Sequence, residues 1–91
     1  MGNAAGLKAL RVVDNAERTL AIELLAGAQA VEFLAPLAPG RGAQAAHDFV
    51  RTRSRRLDED RSLSSDIEEL AGAIRSGAML AAVEHEVGAL A

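Results

Sequence analysis

An imidazole can ligate a metal or move a proton near neutral pH, so the two histidines, His47 and His85, are the first residues to weigh in this 91-residue chain. Glu84-His85-Glu86 has the composition of a metal-ligand cluster. Its spacing is wrong, because consecutive helical residues point about 100° apart and do not converge on one ion. The sequence therefore predicts a solvated helix end there, and His47 beside Asp48 meets the same objection. Nothing matches the His-Glu-x-x-His pattern of zinc proteases. Serines stand at positions 54, 62, 64, 65 and 76, none with a histidine near it in sequence, and two of them read as helix punctuation. The run Arg51, Arg53, Arg55, Arg56 invites an anion, yet Asp58, Glu59 and Asp60 follow at once and no interleaved aromatic offers a stacking surface. Pro39-Gly40-Arg41-Gly42 lacks both the lysine of a phosphate-binding loop and the preceding strand of a dinucleotide fingerprint, and reads as a turn. No set of nucleophile, base and orienting group emerges. The residues give no catalytic, cofactor-binding or metal-ligating candidate.

Three further polar residues stand among apolar ones. Glu17 interrupts an apolar seam, and Glu23 and Gln29 lie within a segment otherwise free of polar groups, so each needs a partner if buried. The expected partners of the two glutamates are arginines or backbone amides of other helices, with Arg11 and Arg18 the nearest on the same helix.

The element that carries them is a long helix. Leu10, Val13, Leu20, Leu24, Gly27, Val31 and Leu34 recur in steps of three and four if Glu17 fills the gap, which predicts one helix over about 3–34. Ala16, Ala21, Ile22, Leu25 and Ala28 widen the stripe until the helix is apolar on most sides, and such a helix is buried on most sides. Pro36, Pro39, Gly40 and Gly42 then end it in a turn over 35–42. A short helix over about 43–53 follows, with Ala46, Phe49 and Val50 inward, and the charged stretch to Arg61 reads as a solvated connection. Ser65 with Glu68 three residues on fits a capping box, which starts a helix over about 65–76 with Ile67, Leu70, Ala71 and Ile74 as its apolar stripe. Gly77 ends it, and a last helix covers about 78–87. No alternating strand pattern and no internal repeat occurs. The fold class is all-α: one long helix and two or three shorter ones, forming part of a larger helical bundle.

Composition bounds the rest. A 49% hydrophobic and 25% charged chain is globular in balance, while its net charge of -3 lacks the basic excess of a general nucleic-acid binder. Phe33 and Phe49 are the only aromatics, so the core is aliphatic. The N-terminal residues do not form a secretory signal and no run reaches roughly 18 apolar residues, so the expected setting is cytoplasmic, without a membrane partner. A domain of this length hides only about 60% of its unfolded surface. Each leucine-sized side chain left in water forgoes roughly 1.5 to 3 kcal/mol against a total stability of about 5 to 15, so the long helix calls for more protein around it.

The order of the residues is familiar as well. Asn15-Ala16-Glu17-Arg18-Thr19-Leu20-Ala21-Ile22-Glu23-Leu24-Leu25, Ala28-Gln29-Ala30 and Pro36-Leu37 resemble the C-terminal part of the histidine ammonia-lyases, in the aromatic amino acid lyase family. Ala45-Ala46-His47, Leu57-Asp58-Glu59-Asp60-Arg61 with Leu63, Asp66-Ile67-Glu68 and Ile74-Arg75-Ser76-Gly77 continue the resemblance, and Met1-Gly2 resembles the end of the family's Ser-Met-Gly stretch. The likeness covers essentially the whole chain. Phe33-Leu34 departs from it where a more polar pair is usual, and Arg53-Ser54-Arg55-Arg56 departs where proline is common.

The resemblance implies an all-helical homotetramer with long helices bundled at its centre, and a parent reaction that turns histidine into urocanate and ammonia. It also implies a methylidene-imidazolone cofactor formed from an internal Ala-Ser-Gly, a tyrosine near the substrate and an Asn-Gln-Glu-Asp stretch. None of these occurs here: Arg75-Ser76-Gly77 lacks the alanine, the chain has no tyrosine, and the Asn-Gln-Glu-Asp stretch belongs just upstream of Met1. No catalytic residue is carried over, and the chain alone is expected to be inactive. Its expected partners are the rest of the lyase polypeptide and its tetramer. A free-standing helical association module, and the tail of a tyrosine or phenylalanine ammonia-lyase, are the alternatives.

Overall fold

The computed structural model describes residues 2–56 and 61–89. Among them are four helices and no strand: α1 (Gly2–Phe33), α2 (Arg41–Arg53), α3 (Ser64–Ser76) and α4 (Ala78–Val87). The fold is all-α. At about 1.5 Å per residue, α1 is about 48 Å long and sets the longest dimension of a flat, elongated body of 55 × 36 × 17 Å. Helix α3 lies along the middle of α1, and α2 and α4 pack on each other beside that pair.

Alanines make the close approach of the helices possible. Ala21 and Ala28 of α1 and Ala71 of α3 are buried with Leu25, Val50 and Leu70, and Leu24, Phe49, Ile67, Ile74 and Met79 close around them. Leu70 and Val50 are the largest side chains that are completely enclosed. A centre built of so many methyl groups brings backbones together but removes little apolar area from water. Glu17, expected in the gap of the seam, is indeed buried, whereas Glu23 is exposed.

Helix ends follow local chemistry with two departures from the sequence reading. Helix α2 begins at Arg41, two residues before the expected start, because Gly40 in an extended conformation accepts from the Gln44 amide at 2.9 Å and lets Gly42 join the first turn. Helix α3 begins at Ser64 with Leu63 as its cap and no side-chain cap bond. The Ser65–Glu68 capping box does not form. Glu68 instead accepts from Arg18 Nε of α1 at 2.8 Å, and the Ser65 hydroxyl turns to Asp66. At the other end Gly77 has φ 82°, a left-handed conformation that only glycine adopts without strain, and it separates α3 from α4.

The connection after α2 also differs from expectation. The sequence predicts a solvated charged stretch up to Arg61, yet Arg51 is half-buried in the last turn of α2 and Ser54 is only 4% exposed. The physical cause is the carboxylates that α1 and α3 place there, which draw these polar groups inward. The acidic run Asp58, Glu59, Asp60 lies outside the described residues.

Candidate functional site

Two polar clusters and one apolar stripe are the places where this fold concentrates chemistry. The first cluster joins α1 to α2. Arg51 donates from Nε (3.0 Å) and Nη2 (2.5 Å) to Glu32 Oε1, and from Nη1 to the Ser54 carbonyl at 3.1 Å. His47, one turn earlier on α2, places Nε2 3.8 Å from the other oxygen of Glu32 and Nδ1 3.1 Å from Asp48. The Arg51 guanidinium holds the Glu32 carboxyl below its ordinary range, against the opposing effect of burial. The His47 contact, and then a bond from Gln44 at 2.8 Å, lower that of Asp48.

The second cluster ties the connection to α3. The buried Ser54 hydroxyl donates to Asp66 Oδ2, and Arg61 reaches the same oxygen at 3.0 Å while also donating to the Arg55 carbonyl at 2.9 Å. Asp66 is thereby held below the ordinary carboxylate range, first by Ser54 and then by Arg61. A general base works best with a pKa near the operating pH, and all three carboxylates are moved the other way. Glu32 joins α1 to α2 and Asp66 joins α3 to the connection, whereas the partners of Asp48 lie on its own helix α2.

Farther along α1, Arg75 of α3 grips two carboxylates, with Nε on Glu17 at 2.8 Å and Nη2 on Asp14 at 2.8 Å. The partner of Glu17 is thus an arginine of another helix, the kind the sequence called for, though Arg11 and Arg18 were the nearest candidates on its own helix. Arg53 pairs with Glu69 at 2.8 Å and stacks 5.0 Å from the Phe49 ring centre, so the basic run is drawn into contacts within the chain. Ser76 and Gly77 are spent on closing the end of α3: the Ser76 hydroxyl donates to the Ala73 carbonyl at 3.3 Å and the Gly77 amide to the Ile74 carbonyl at 3.2 Å. With Arg75 committed to α1 and no alanine before the serine, this stretch does not fit the cyclising tripeptide that the family resemblance implies. Among the described residues no group of three or more His, Asp or Glu side chains could hold a metal ion, and no helix is long and apolar enough to cross a membrane. His85 is exposed in α4 beside the exposed Glu86.

The apolar stripe is the larger feature. Leu7, Leu10 and Val13 are 58, 68 and 54% exposed, and they continue toward the N-terminus the face of α1 that α3 covers from Glu17 onward. With Arg11, Asp14, Glu17 and Arg75 they line an open groove of about 500 Å³. Elsewhere on α1 Leu20, Ile22 and Phe33 are also exposed, as is Leu34 just beyond its end. The sequence expects α1 to be apolar, and so buried, on most sides; among the described residues the other helices cover only one side of it.

Comparison with known proteins decides the family. The aromatic amino acid lyase profile matches residues 1–52, more than half of the chain. This chain belongs to the aromatic amino acid lyase family. It is similar to histidine ammonia-lyases, with 48% identity to that of Myxococcus xanthus over 91% of this chain. It is 44% identical to that of Sorangium cellulosum and 41% to that of Gloeobacter violaceus, each over 99% of this chain. The matched part is only 16% of the first relative and 18% of the other two. As an aromatic amino acid lyase sequence, then, the chain spans less than a fifth of the length of the curated relatives it matches. No solved structure matches it.

Proposed function

We propose that this chain is the C-terminal structural and oligomerisation segment of a histidine ammonia-lyase, carrying no catalytic residue of its own. The parent reaction would be the elimination of ammonia from L-histidine to give urocanate, by a cytoplasmic homotetramer in histidine catabolism. The cofactor and the residues touching substrate would lie in the remainder of that polypeptide. What supports the reading is the likeness to histidine ammonia-lyases along nearly the whole chain.

The observation that carries the architectural part is the state of α1: 32 residues long, with leucine-sized side chains on several sides and only one side covered by α2 to α4. Exposed apolar area of this extent is what a helix presents when other helices complete its surroundings. The ion pairs Arg18–Glu68, Arg51–Glu32 and Arg75–Glu17 then serve to fix α2 and α3 on one flank of α1, leaving the other flank open.

Leu7→Asp combined with Leu10→Asp, placed in the full-length lyase that contains this segment, tests the proposal. The expected result is a smaller assembly by sedimentation velocity with helical content retained. An unchanged assembly mass would overturn the role. The purified 91-residue chain should also give no urocanate absorbance with histidine at any concentration, and measurable turnover would refute the absence of catalytic residues.

A further inference from the structure

We draw no further inference here: the strongest candidate, the groove beside the exposed apolar stripe of Leu7, Leu10 and Val13 on the N-terminal third of α1, carries nothing beyond the association already proposed, because nothing in the structure shows what covers it.

Discussion

Replacing Arg51 by alanine removes the shortest ion pair between α1 and α2. Arg51 makes two charge-assisted bonds to one oxygen of Glu32 on α1 and a third to the Ser54 carbonyl that ends α2. Hydrogen bonds to charged groups contribute about 1.5 to 3 kcal/mol, and the Glu32 side chain is 20% exposed, so some water replaces the guanidinium. A loss of about 2 kcal/mol is expected, which changes the folding equilibrium by up to about 30-fold. For a domain of this size that corresponds to a fall in melting temperature of roughly 8 to 16 °C. The assay is thermal unfolding followed by far-UV circular dichroism at fixed protein concentration, with Glu32→Gln and the double variant completing a cycle. A coupling of about 1 to 1.5 kcal/mol is expected, and the remainder belongs to the Ser54 contact and the packed stem of Arg51. Because the folded carboxyl of Glu32 sits below its unfolded value, the stabilisation is present above the ordinary glutamate range and is lost as pH falls through the folded value. The coupling should therefore shrink as the solution is acidified below the ordinary glutamate range. A coupling below about 0.5 kcal/mol at neutral pH, typical of an exposed pair, would refute the reasoning.

Other perturbations test other joints. Asp66→Asn should destabilise by about 1 to 2 kcal/mol in the same melts, and Ser54→Ala should cost less on the Asp66→Asn background than alone, since both act through one contact. Its sign with pH matches that of Glu32: Asp66 contributes above the ordinary aspartate range and loses its contribution in acid as pH falls through its lowered folded value. Leu70→Ala empties the best-enclosed side chain of α3 and should cost about 2 to 5 kcal/mol, read as the loss of a cooperative melt. Gly77→Ala forces a side chain into a left-handed position and should destabilise by about 1 kcal/mol although nothing lies within 4 Å of the added carbon.

The long helix and its proline-glycine stop were legible in the sequence because periodicity and proline act locally. So was the need of Glu17 for a partner, since a carboxylate inside an apolar seam has few ways to be satisfied. Which partner it takes was not legible: Arg75 is 58 residues away and meets it only once α3 lies along α1. The same limit defeated the capping box at Ser65 and Glu68, a sound local pattern that gave way to a tertiary ion pair with Arg18. Ser54, read as part of a charged connection, is buried because Asp66 and the Arg51 guanidinium converge on it from two helices. The candidate site was legible in a different sense. The apolar excess of α1 was readable from periodicity, and among the described residues Leu7, Leu10 and Val13 stay uncovered while Arg75–Glu17 and Arg51–Glu32 join helices.

The central claim, that this is the structural tail of a histidine ammonia-lyase, is tested most directly by reading the genomic DNA upstream of the Met1 codon in the same frame. The account predicts codons for an Asn-Gln-Glu-Asp stretch close by and for an Ala-Ser-Gly tripeptide much farther upstream. A nearby in-frame stop codon, followed by a ribosome-binding site that serves Met1, would contradict it and leave a free-standing helical association module as the reading.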